Sequence, residues 1–125
     1  DYNKAMLAGL VRRPSWAPVP DIATCYMADP FLNGAQFARA LHERGISRVA
    51  NLPSAGMFGA DYAALLNKVS LGFDRELQRL ALMAQHQLEV FIAVADFEQA
   101  RRIRCPFFAG DGRRSKGQGS YRYWR

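Results

Sequence analysis

Apolar and polar residues alternate along this chain in blocks that predict helices and strands in turn. Apolar residues at helical spacing predict helices over about 2–12, 34–44, 62–68, 74–87 and from 97 onward. Short apolar runs predict strands over about 21–27, 46–50 and 88–95. Strands that alternate with helices are typical of parallel βα units, so the pattern predicts an α/β fold.

Residues with strong end preferences support these boundaries. Asn33 is predicted to cap the second helix, and Gly45 to end it. Asp61 is predicted to cap the short third helix, and Asp96 with Gln99 resembles a capping box. The predicted strands begin near 22, 47 and 88, so an extra helix is inserted after the second strand.

Polar residues follow the first two predicted strands at the point where each strand ends. Asp29 precedes Pro30, and Asn51 precedes Leu52 and Pro53. The carboxyl ends of parallel strands build the active sites of barrels, so Asp29 and Asn51 are the candidate catalytic residues. Asp29 is also the candidate ligand for magnesium, which prefers carboxylate oxygens. Both residues are equally typical of turns, and that alternative stays open.

The loop after the second strand contributes candidate substrate-binding groups. Ser54, Gly56 and Gly59 could present backbone N–H groups to a phosphate or carboxylate. Gly56 and Gly59 also permit unusual backbone angles. We therefore expect a small anionic substrate at this edge of the sheet.

The charge of the chain is concentrated at its carboxyl end. Residues 1–100 contain nine Lys and Arg against ten Asp and Glu, whereas residues 101–125 contain eight against one. Residues 105–125 have no helical or strand period, so we expect a disordered basic tail after a domain at 1–104. The mixture of charge and aromatic residues there could bind single-stranded nucleic acid, but disorder is the favoured interpretation, so nucleic acid is not an expected partner.

Hydropathy and cysteine content indicate where in the cell the protein is expected. No apolar run reaches the roughly 18 residues of a membrane span, so no membrane partner is expected. Cys25 and Cys105 do not imply a disulfide framework, and Cys25 is expected to be a buried free thiol. The expected location is the cytoplasm. The chain starts without Met, which suits a fragment or a processed product.

The ordered set of short motifs resembles one family. The motifs are Asp29-Pro30-Phe31, Asn51-Leu52-Pro53-Ser54 with Gly56, and Gly72-Phe73 before Glu76. Over residues 1–102 this order resembles the phosphoenolpyruvate-hydrolase-like TIM-barrel proteins, also called TIM-barrel signal-transduction or indole-glycerol-phosphate-synthase-like domains. The family continues past the last helix into a further buried strand, whereas this chain continues into its basic tail.

The resemblance implies a partial (βα)8 TIM barrel of about three parallel βα units, because 125 residues are too few for a whole barrel. It implies a fragment that acts, as a hydrolase or lyase, on a 2-oxo acid or enol phosphate, with magnesium as cofactor. One alternative is a non-catalytic ligand-sensing or regulatory module. The other is an inactive remnant, whose open sheet edges would favour aggregation or a homo-oligomer.

Overall fold

The computed structural model describes residues 1–18, 22–103 and 121–124, the last four by their backbone alone. Its elements are α1 Tyr2–Val11, β1 Ala23–Thr24, α2 Gly34–Glu43, β2 Arg48–Ala50, α3 Ala60–Lys68, α4 Phe73–Gln85, β3 Glu89–Ala93, α5 Phe97–Ile103 and β4 Tyr121–Trp124. A 3₁₀ turn, Ala55–Phe58, precedes α3. The predicted helices are present within about two residues of their expected ends, including the helix inserted after the second strand.

The strands form one parallel sheet in the order β1-β2-β3-β4. Val49 lies opposite Ala23 on one side and opposite Val90 on the other, and Val90 in turn lies opposite Tyr121. The predicted α/β class with a parallel sheet is therefore confirmed. Strand β4 lies where the sequence has no strand period, so it was not predicted.

One face of this sheet carries the hydrophobic core. Ala23, Val49, Val90 and Ile92 belong to a single buried cluster on that face. The same cluster contains inward-facing side chains of α2, α4 and α5, namely Phe37, Ala38, Leu41, Phe73, Leu77, Leu80, Met83, Ala84 and Ile103. Helix α1 packs against it through Met6, Leu7 and Leu10. Because strand side chains alternate between faces, Thr24, Ala50 and Phe91 point to the other side.

The helix ends confirm most of the predicted caps. The Asn33 side chain accepts a hydrogen bond from the Gln36 N–H, and Gly45 takes a positive φ of 75° after α2. Asp96 accepts from the Gln99 N–H at 2.8 Å, while the Gln99 side chain accepts from the N–H of Ala95. The predicted cap at Asp61 is wrong. Helix α3 begins at Ala60, two residues earlier than predicted, with Gly59 at the N-cap, and Asp61 lies in its first turn.

Strand β1 is shorter than predicted because a side chain of α1 takes over the backbone groups that follow it. The Asn3 side chain accepts a hydrogen bond from the Tyr26 N–H at 2.8 Å and donates one to the Tyr26 carbonyl at 3.0 Å. The backbone after Thr24 therefore bonds to α1, apart from the Cys25 N–H, which still donates to the Ala50 carbonyl. The predicted strand over 21–27 is thus reduced to Ala23–Thr24.

The predictions of a disordered tail and of no membrane span can be compared with the structure only in part. Most of the predicted disordered tail, 105–125, lies outside the described residues, and Tyr121–Trp124 within it form β4. Within the described part of the chain, no helix combines the length and apolar character needed to cross a membrane.

Candidate functional site

An open cavity of about 420 Å³ lies at the carboxyl ends of β1, β2 and β3, on the sheet face opposite the core. Its walls are formed by Ile22, Thr24, Ala50, Leu52, Ser54, Met57, Phe91, Ala93, Val94 and Ala95. Only Thr24 and Ser54 among these have polar side chains. The position is the one where parallel α/β folds bind ligands, and the lining suits the carbon skeleton of a ligand more than its charge.

Ser54, in the cavity wall, bonds to the carboxylate of Glu76, which is fully buried and surrounded by hydrogen-bond donors. Its Oε2 accepts from the Asn51 Nδ2 at 2.7 Å and from the Ser54 Oγ at 2.9 Å. Its Oε1 accepts from the backbone N–H of Ala55 at 2.5 Å. We call Asn51, Ser54, Ala55 and Glu76 the carboxylate cluster. It fixes the loop after β2 to helix α4.

Burial raises the pKa of Glu76 above its ordinary value, and the three donors oppose that shift. The desolvation of the charged form is the larger effect. None of the three donors carries a positive charge, so they satisfy the oxygens without neutralising the carboxylate. The ionised form of this carboxyl is therefore less favoured than that of an exposed glutamate.

The predicted catalytic residue Asn51 lies in this cluster and is completely buried. Besides donating to Glu76, its Nδ2 donates to the Ala93 carbonyl at 3.1 Å, and its Oδ1 accepts from the Ala93 N–H at 2.7 Å. Both amide protons are used. In this arrangement Asn51 joins β2 to β3 and positions Glu76.

The predicted binding residues of the following loop have three different roles. Ser54 lines the cavity and is 1% exposed, with its hydroxyl donating to Glu76. Gly59 takes a positive φ of 93°, as predicted. Gly56 has no such angle. It allows a close approach instead, because an added Cβ would lie 2.6 Å from the Gln99 Nε2 and 2.9 Å from the Ala95 Cβ.

Asp29, the other predicted catalytic residue, has separate partners. One carboxylate oxygen accepts from the Phe31 N–H at 2.9 Å, which is the turn arrangement expected before Pro30. The other accepts from the Asn3 Nδ2 at 3.2 Å. Asn51 and Ser54 both donate to Glu76, whereas Asp29 bonds to Asn3 of α1 and is not part of the carboxylate cluster.

Cys25 is buried and its thiol donates a hydrogen bond to the Asn3 Oδ1 at 3.1 Å. Burial first, and the Asp29 carboxylate second, raise the pKa of this thiol strongly. The prediction of a buried free thiol is therefore confirmed, and a protonated buried thiol is a poor nucleophile.

Two residues organise these networks: Glu76, which the sequence analysis named only as part of the resemblance, and Asn3, which it missed. Glu76 lies among Phe73, Leu77 and Leu80 on the buried face of α4, and Asn3 is 4% exposed on α1. The available signal was a polar residue in phase with an apolar helical stripe, because such a side chain must be buried with a partner.

Magnesium stays a prediction drawn from the residue type and the resemblance. Within the described residues, no group of three or more His, Cys, Asp and Glu side chains comes together. Asp29 is a lone carboxylate whose two oxygens already accept from N–H donors. We therefore assign no chemical step to a metal ion.

Comparison of the sequence with models of known protein families, and with curated proteins, finds no match.

Proposed function

We propose that this chain is part of a phosphoenolpyruvate-hydrolase-like TIM-barrel protein, and that it binds a small 2-oxo acid or enol phosphate at the carboxyl ends of its strands. The observation that carries the proposal is the cavity at that edge, which Ser54 and the strand residues Ala50 and Ala93 line. The sequential order of parallel strands and the one-sided packing of helices support the barrel. The substrate class rests on the resemblance.

Different residues of the cavity would contact different parts of the ligand. Ala50, Phe91 and Ala93 form an apolar floor that excludes water from the carbon skeleton of the ligand. Ser54 supplies a hydroxyl whose orientation is fixed by Glu76. The walls contain no Lys or Arg among the described residues, so the anionic end of the ligand would point out of the cavity.

A second candidate is a ligand-sensing module without catalysis. It is favoured by the hydrogen bonds of Asn51, whose amide protons are both directed at Glu76 and Ala93. Asp29 is likewise engaged by the turn and by Asn3. Groups that are bonded within the protein can shape a site, but a catalytic group must reach the reacting atoms.

Calorimetric titration of the chain with pyruvate, 2-oxobutyrate and phosphoenolpyruvate, each with and without magnesium, tests the proposal. We expect binding of at least one of the three, with acetate and inorganic phosphate as weaker controls. Ala93→Leu places a larger side chain in the cavity and should weaken binding about tenfold, which corresponds to about 1.4 kcal/mol, because it occupies space that the ligand needs. Ala35→Leu, on an exposed position of α2, is the matched control and should have no effect.

The outcomes separate the candidates. Turnover of a bound compound, followed as product formation, supports the enzyme. Binding that is sensitive to Ala93→Leu but gives no product supports the sensing module. If none of the compounds binds, or if Ala35→Leu weakens binding as much as Ala93→Leu, the proposed site is wrong.

A further inference from the structure

An apolar stripe runs along the outside of helix α3 and the 3₁₀ turn before it. Its members Phe58, Tyr62, Leu65 and Val69 are 54%, 50%, 55% and 57% exposed. They follow one another at spacings of four, three and four residues, which places them on one helical face. The Phe58 and Tyr62 rings meet edge-on at 5.8 Å, so the 3₁₀ turn extends the stripe.

The stripe is not explained by the core of the described structure. Leu66 is the buried residue of α3, whereas the four residues of the stripe are each at least half exposed. Single exposed apolar residues are common on protein surfaces, but a contiguous row of four large ones marks a contact surface.

The order of residues along the stripe is self-complementary. Because the spacing reads the same in both directions, an antiparallel copy of α3 sets Phe58 against Val69 and Tyr62 against Leu65. The same alignment brings Asp61 of one copy beside Lys68 of the other, since these residues flank the stripe seven positions apart. In the described part of the chain, no ion pair uses Asp61 or Lys68.

We propose that a second copy of this chain docks on the stripe, with the two α3 helices antiparallel about a two-fold axis. A two-fold axis matches each surface to itself, as self-complementarity requires. A nine-residue helix buries less than the roughly 800 Å² per partner of a stable interface. The dimer is therefore weak, with a dissociation constant on the order of 10⁻⁵ to 10⁻³ M. This proposal does not depend on the proposed function.

Charge exchange between Asp61 and Lys68 tests the antiparallel pairing. Asp61→Lys alone sets Lys against Lys twice, and Lys68→Asp alone sets Asp against Asp twice. Each single variant should dimerise about tenfold more weakly at low salt, measured by sedimentation equilibrium over a concentration series. Mixing the two single variants restores both attractive pairs, and so does the double variant, so association should recover in each case.

A second pair of variants tests the apolar contact. Leu65→Ser should abolish the dimer, because it removes the central side chain of the stripe. Val11→Ser, at an exposed position of α1, is the matched control and should leave association unchanged. Far-ultraviolet circular dichroism establishes that each variant is folded.

Three results would overturn the proposal. The first is a chain that stays monomeric up to millimolar concentration. The second is a dimer that Leu65→Ser leaves intact, which would place the contact elsewhere. The third is a pair of single charge variants that fail to recover association on mixing, which would exclude the antiparallel alignment.

Discussion

Two asparagine side chains replace rungs of the parallel sheet in this protein. Asn51 bonds both the N–H and the carbonyl of Ala93, and Asn3 does the same to Tyr26. A carboxamide has the same donor and acceptor as a peptide group, so it can continue a ladder where the backbone turns away. Asn51 at a strand end was predicted as a catalytic residue on position alone. The sequence could not show that its donors already had partners.

Replacing Glu76 by glutamine tests the state of the buried carboxyl. Burial raises the pKa of Glu76 in the folded protein above its ordinary value of 4.5. The neutral form is thus preferred on folding, and this stabilisation is complete below pH about 4.5 and is lost as pH rises through the raised pKa. The free energy of unfolding of the wild type, relative to Glu76→Gln, should therefore fall as pH rises.

Urea unfolding between pH about 3.5 and 8 gives this difference directly. Glu43→Gln, at an exposed position of α2, is the matched control for the loss of one carboxylate. A wild type that gains stability over Glu76→Gln with rising pH would contradict the expectation. It would mean that Asn51, Ser54 and Ala55 together outweigh the desolvation of the carboxylate.

The helices of this protein were predictable as elements, whereas the lengths of the strands were not. Asn33 and Asp96 cap helices that depend on neighbouring residues of the same segment, so local sequence is sufficient. Strand β1 ends where the side chain of Asn3 in α1 takes over the hydrogen bonds of Tyr26, and β3 ends where the side chain of Asn51 takes over those of Ala93. Those partners are 23 and 42 residues distant in sequence, and no local pattern reveals them.

Two glycine-to-alanine changes of opposite sign test the junction that starts α3. Gly59 has a φ of 93°, and an added Cβ at Gly59 would meet nothing within 4 Å. Gly59→Ala should therefore destabilise through backbone strain alone, by about 2 kcal/mol. Gly9 lies within α1 and has equally open surroundings, so Gly9→Ala should stabilise by about 0.5–1 kcal/mol.

Thermal unfolding of the two variants beside the wild type measures both effects. A loss of stability in Gly9→Ala would show that this face of α1 contacts something other than the described residues. Unchanged stability in Gly59→Ala would show that the backbone at the start of α3 can change its conformation, and that glycine is not needed at this position.

At the scale of the whole molecule, the βα rhythm predicted a parallel sheet but not its two unequal faces. A parallel sheet usually has both faces covered, and its strands then read as continuous apolar runs. Such runs do not show which face a neighbouring helix packs against. Here Ala23 joins the core, while Ala50 of the adjacent strand lines the cavity. The strand ends could be predicted as a binding edge, but the apolar lining of the cavity could not.

An alanine-to-serine substitution on each face of the sheet measures how tightly that face is packed in solution. Ala23→Ser places a hydroxyl in the packed core, where an unbonded polar group costs about 1–3 kcal/mol. Ala50 is almost as buried, at 6% exposed, but it lines the open cavity rather than the packed core, so we expect Ala50→Ser to cost less than Ala23→Ser. Urea unfolding at low protein concentration compares the two variants while a weak dimer is dissociated. Equal losses would mean that the cavity face is packed against something else in the free chain, and a ligand could then enter only by displacing that cover.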